Sequence, residues 1–136
     1  MNGELKLSNL SDLEILKIID PIMDNCLAGS NEGDHEKHTR DFTARMKSIV
    51  TPEELHKQLS NEPRAYFTRR VFLYVFRRSN SVGVVWKQFT SINNDELINQ
   101  AIFKELDGRI LIDHCMICWY DKHTTLNSMV FIESLF

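Results

Sequence analysis

The spacing of the apolar residues changes once along this chain, near residue 68, and that change constrains the fold more than any other feature. Before it, apolar residues return every third or fourth position. Ile15, Ile19, Ile22 and Cys26 fall on one helix face, with Leu16, Met23 and Leu27 beside them. After it, the period is two. Residues 71–78, 82–90, 96–106 and 109–119 are rich in β-branched and aromatic side chains and read as four strands. Their connections are Ser79-Asn80-Ser81, residues 91–95 and Asp107-Gly108, and Asp-Gly between two strand runs is a strong hairpin signal. Links this short join antiparallel neighbours. The expected fold is therefore α+β, with N-terminal helices packed on a curved antiparallel meander.

The helical half carries its own punctuation. Ser11 or Asp12 can cap a helix, and Glu14 completes a capping box with Ser11. Pro21 either bends that helix or opens a second segment capped by Asp20. Gly29 is expected to end it, with Ser30-Asn31-Glu32-Gly33 as a turn. Asp34 then caps a short helix through Thr39-Arg40-Asp41-Phe42. Thr51-Pro52-Glu53-Glu54 is a strong helix start, carrying Leu55 and Leu59 inward and stopping before Pro63.

A chain of 136 residues is expected to form one domain over residues 1–136, with residues 1–10 and 121–136 peripheral. The end of the chain, including Met129-Val130-Phe131-Ile132, is too apolar to be left loose and is expected to dock. Residues 1–63 hold seven Lys/Arg against twelve Asp/Glu, and residues 64–136 hold nine against seven. An acidic helical layer beside a slightly basic sheet lacks the basic footprint of a nucleic-acid binder. No run approaches 18 apolar residues, so no membrane span is expected. With no secretory signal and three cysteines, Cys26, Cys115 and Cys118, the chain reads as cytoplasmic with reduced thiols.

Strict alternation places Ile110, Ile112, His114, Met116 and Cys118 on one face of the last strand. His114 is then desolvated, near Trp86 or Gln88, and is either a proton-transferring group or a core histidine bonded to a backbone carbonyl or to Tyr74. Asp113 points the other way and reads as a surface carboxylate paired with Arg77 or Arg109; a dyad with His114 would need a bulge. Asp41 is a second candidate base, with capping or an ion pair as its structural role. Cys115 and Cys118 face opposite sides of a strand and cannot share a metal. His35-Glu36-Lys37-His38 is one residue short of the H-E-x-x-H zinc motif, so no metal site is expected. Phe72, Tyr74 and Phe76, with Arg70 and Arg78 at the strand ends, form an aromatic face suited to a second subunit.

The order of helix, Gly33-Asp34 turn, Phe42, further helix and long-stranded meander resembles the nuclear-transport-factor-like superfamily of cone folds, which includes SnoaL-like and ketosteroid-isomerase-like proteins. Asp41-Phe42-Thr43, Phe76-Arg77-Arg78, Ser81-Val82-Gly83-Val84-Val85-Trp86 and Asp107-Gly108-Arg109 with Asp113-His114 look like a bacterial subgroup of unsettled function. The resemblance covers roughly residues 11–120. It implies a cavity that binds a small, partly apolar molecule, without a cofactor, and a homodimer formed through the outer sheet face. Phe42, Tyr74, Trp86, Gln88 and His114 are the expected lining. The alternatives are a cofactor-free isomerase or lyase moving a proton on His114 or Asp41, and a dimerisation or protein-interaction module. The base-and-oxyanion trio of the isomerases has no residue-by-residue counterpart here.

Overall fold

The computed structural model describes residues 6–118. After a 3-10 turn at Leu7–Asn9 come α1 (Asp12–Glu32), α2 (His35–His38), α3 (Ala44–Ile49) and α4 (Pro52–Leu59). Four strands follow: β1 (Phe67–Arg77), β2 (Ser81–Thr90), β3 (Leu97–Leu106) and β4 (Arg109–Cys118). They form one open antiparallel sheet in the order β1-β2-β3-β4. The α+β meander expected from the periodicity is the observed fold. Among the described residues no helix is long and apolar enough to cross a membrane. The expected docking of residues 124–136 lies outside the described residues.

The capping chemistry explains where the helices begin. Ser11 and Glu14 form a reciprocal capping box on α1, and Asp34, Thr43 and Thr51 each accept from a backbone N–H one turn into their helices. The end of α1 differs from expectation. The helix runs through Pro21 and Gly29 to Glu32, and Gly33, at φ 69°, is the left-handed C-cap. Gly29 serves another purpose: a Cβ there would lie 2.4 Å from the His38 backbone nitrogen. The glycine lets α2 fold back against α1. The second expected helix is also shorter, ending at His38, and Thr43 opens the unanticipated α3.

The hairpin between β3 and β4 turns on Asp107 and Gly108, both at positive φ (52° and 78°), the conformation the two-residue turn requires. On the inner face, Val82, Val84, Trp86 and Gln88 of β2 and Leu97, Asn99, Ala101 and Phe103 of β3 are buried. They meet Ile15, Ile19 and Met23 of α1, and this layer is the core.

Both edge strands break the alternation. In β4, Ile112 pairs with Phe103 but His114 pairs with the adjacent Ile102, so Asp113 is an extra residue. In β1, Phe72 faces Trp86 and Tyr74 faces Val85, which makes Leu73 extra; a further shift lies between Phe67 and Arg70. Such bulges bend a strand and reverse the facing of everything beyond them. Side chains consequently sort into transverse rows. Val75, Val84, Ala101 and Cys115 form an inner row, while Phe76, Gly83, Ile102 and His114 form an outer one. Tyr74, Val85, Gln100 and Met116 make the next outer row.

Candidate functional site

The bulges redistribute the expected lining residues between the two faces of the sheet. Phe42, Trp86 and Gln88 lie inside, each almost fully buried. Tyr74 is 58% exposed on the outer face, and His114 stands half-buried on that same face. The five residues therefore do not surround one space. The expectation that His114 shares a face with Ile112 is corrected by the extra residue at Asp113: Ile112 is fully buried, and His114 sits beside Ile102. Phe72 likewise parts from Tyr74 and Phe76, turning toward Trp86 on the core side.

Inside, most of the polar groups bond one another, although Arg70 Nε is buried without a partner among the described residues. Gln88 Nε2 donates to the carbonyls of Arg69 (3.2 Å) and Phe89 (3.1 Å), beside the irregularity in β1, and its Oε1 accepts from Asn99 Nδ2 at 3.1 Å. Cys115 Sγ approaches Asn99 Oδ1 at 3.9 Å. The Arg70 guanidinium stacks 5.2 Å from the Trp86 ring centroid and pairs with Asp20 (2.9 Å) and Asp24 (2.7 Å) of α1. This layer joins helix to sheet, and burial drives the Cys115 thiol up to about 12, so it is protonated. Cys118 belongs to the outer row of Val71, Lys87 and Ile98, opposite in facing to Cys115.

Asp41, the candidate base, and Asp113 both hold structure together. Asp41 pairs with Arg40 (2.9 Å) and Arg109 (3.1 Å), while its carbonyl accepts from Ile112 N at 2.7 Å. Thr43 N returns a bond to the Ile112 carbonyl at 3.0 Å, giving a parallel bridge on the outer edge of β4. Asp113, the bulged residue, accepts from Thr43 Oγ1 at 2.8 Å and pairs with Arg45 and Lys104, in place of the expected Arg77 or Arg109. Arg45 also bonds the Asp113 carbonyl. The bulge is thus the socket for the start of α3. Among the described residues, no three His, Cys, Asp or Glu side chains cluster as metal ligands.

His38 is the buried histidine that sequence reasoning passed over in favour of His114. Its Nδ1 donates to the Cys26 carbonyl at 2.8 Å, and a carbonyl only accepts, so that nitrogen carries the proton. Nε2 is buried with no partner among the described residues. Burial depresses this imidazole to about 4, and it is neutral at physiological pH. Burial also lowers His114, with the nearby Arg45 charge adding to the effect.

Among the described residues, the outer face of the sheet carries exposed apolar side chains. Val71, Leu73, Tyr74 and Phe76 project from β1, Phe76 being 57% exposed. Beside Phe76 the row is interrupted by Gly83, and the missing side chain leaves a depression of about 240 Å³ bordered by Phe76, Val85, Ile102, Gln100, His114 and Arg78. A Cβ on Gly83 would find only ordinary contacts, 3.8 Å to Phe76 Cβ and 3.9 Å to the Ala101 carbonyl oxygen. Neither its backbone angle nor its packing demands a glycine, although glycine weakens a central strand. In sequence, an isolated glycine within a β-branched run was the available signal for this opening. Comparison with known proteins leaves the site to its own geometry: no protein-family model matches the chain, and no curated protein matches it significantly.

Proposed function

We propose that this domain is an interaction module that joins a second copy of itself through the outer face of its sheet. The observation that carries the reading is Gly83, an opening in the middle of an apolar face that the fold of one chain does not need. A knob, Phe76, stands next to that hole in the same row. Two copies related by a twofold axis can each present the knob to the other's hole, the geometry of a self-complementary interface. Of the cations beside the face, Lys87 is partnered by Glu96 (3.4 Å) and Lys104 by Asp113 (3.9 Å), while Arg78 at the rim meets no carboxylate among the described residues.

Sedimentation velocity at micromolar concentrations tests the proposal. Wild-type protein is expected to sediment as a dimer. Gly83→Val, which fills the hole, and Phe76→Lys, which charges the knob, are expected to sediment as monomers with melting temperatures no lower than that of the dissociated wild type. A wild-type monomer at these concentrations overturns it.

A second reading, small-molecule binding, draws on the same depression. His114, Gln100 and Arg78 supply polar groups around an apolar floor, the composition of a ligand site, and a second copy would roof it. Native mass spectrometry of protein purified from cell lysate tests it: a retained adduct lost in Gly83→Val supports the reading, and a bare polypeptide mass counts against it.

A further inference from the structure

On the helical side, a groove of about 430 Å³ is lined by residues of α4, of the turn joining α1 to α2, and by Arg64 just before β1. Its apolar lining is Leu55, Leu59 and Pro52 of α4 beside the Gly33 cap. Its polar groups are Arg64, His35, His56 and Ser60, and no acidic side chain lines it. That is unexpected in the acidic half of the molecule, where residues 1–63 hold seven basic and twelve acidic side chains.

Arg64 is the central group. Its guanidinium is fixed from two directions, donating to the carbonyls of Ser30 (3.1 Å) and Asn31 (2.8 Å) at the end of α1 and lying 4.6 Å from the Tyr66 ring centroid. Arg40, Arg70, Arg77 and Arg109 each meet a carboxylate. Among the described residues Arg64 meets none; its Nε is buried without an acceptor, as is that of Arg70, but Arg70 has two carboxylates and Arg64 has no carboxylate. A half-buried, immobilised guanidinium that lines the groove and meets no carboxylate leaves its charge for an anion there. His35 is held in the groove wall by its Nε2, which donates to the Val50 carbonyl at 2.7 Å.

We propose that this groove is a binding site for a small organic carboxylate, its carboxylate on Arg64 and its apolar body against Leu55 and Leu59. The volume suits a ligand of modest size, and the apolar wall beside a single fixed cation excludes a bare inorganic anion as the best fit. This site is separate from the sheet face and does not depend on dimerisation.

The test is titration of the full chain with benzoate, followed by backbone amide shifts, with benzyl alcohol as the neutral probe of similar size. Benzoate is expected to shift the amides of Gly33, His35 and residues 55–60 saturably, and benzyl alcohol to bind at least about tenfold more weakly. Arg64→Met is expected to weaken benzoate by roughly tenfold or more. Because Arg64 also closes the end of α1, His56→Glu serves as the variant that leaves the fold intact: it places a carboxylate at the groove from an exposed helix position and is expected to abolish benzoate binding. Absence of saturable shifts in the groove, equal binding of benzyl alcohol, or unchanged benzoate affinity in His56→Glu each overturns the proposal.

Discussion

Among individual residues, His38 is one whose burial in the fold opposes a change of charge. Its ordinary value near 6.5 falls to about 4 because burial penalises the imidazolium. Above about pH 6.5 the ring is neutral in both folded and unfolded chains and exerts no pH dependence. As pH falls from 6.5 toward 4, the unfolded chain takes up a proton that the folded chain refuses, and stability declines. The loss approaches about 3 kcal/mol and levels off below pH 4. Denaturant unfolding at stepped pH should therefore show a slope between pH 6.5 and 4 that His38→Gln reduces; parallel curves for the two proteins would refute the assignment. Sequence inspection favoured His114 because it sits in an apolar strand, whereas His38 sits among charged residues in His35-Glu36-Lys37-His38. Its burial comes from the return of α2 onto α1, a tertiary contact with no local signature.

The elements themselves were written plainly in the sequence, and their facing was not. Caps at Ser11, Asp34 and Thr51, the Asp107-Gly108 turn and the two-residue period located most helices and every strand, because these signals act within a few residues. The bulges at Leu73 and Asp113 depend on partners far away, Thr43 and Arg45 in the case of Asp113, so alternation alone assigned His114 and Phe72 to the wrong faces. Gly29 shows the same division between local and distant causes. By helix propensity alone, Gly29→Ala would stabilise α1 by about 1 kcal/mol. The added Cβ would lie 2.4 Å from His38 N and 2.5 Å from His38 Cα, against backbone that cannot swing aside. The steric cost, about 3 kcal/mol or more, is the larger effect. Gly29→Ala is expected to lower stability in chemical denaturation, and a gain would show that α2 does not pack as described.

Across the whole molecule, the division of charge noted in the sequence becomes a set of bonds between layers. Arg70 reaches Asp20 and Asp24, and Arg77 reaches Asp12 at 2.7 Å, so the basic first strand is tied along the acidic first helix. These ties lie on the inner side of the sheet and leave its outer side to carry Val71, Leu73, Tyr74 and Phe76 into solvent. If that side joins two copies, stability becomes a function of concentration. The melting temperature of the wild type is expected to rise by about 2 °C for each tenfold increase in protein, while that of Gly83→Val stays constant. A concentration-independent wild type would contradict association through this face.

The bridge from Asp41 and Thr43 to Ile112 has a further consequence for how such molecules can combine. It occupies both backbone groups of Ile112, in the middle of the outer edge of β4, and Arg45 takes the next carbonyl. Among the described residues, no strand pairs with the outer edge of β1. Among the described residues the sheet is obstructed at its β4 edge and unpaired at its β1 edge, which leaves one direction for strand addition. Copies that meet edge to edge through β1 consume the open side of both, and the joined sheet ends in two obstructed margins. Strand addition through the described edges alone therefore stops at a pair.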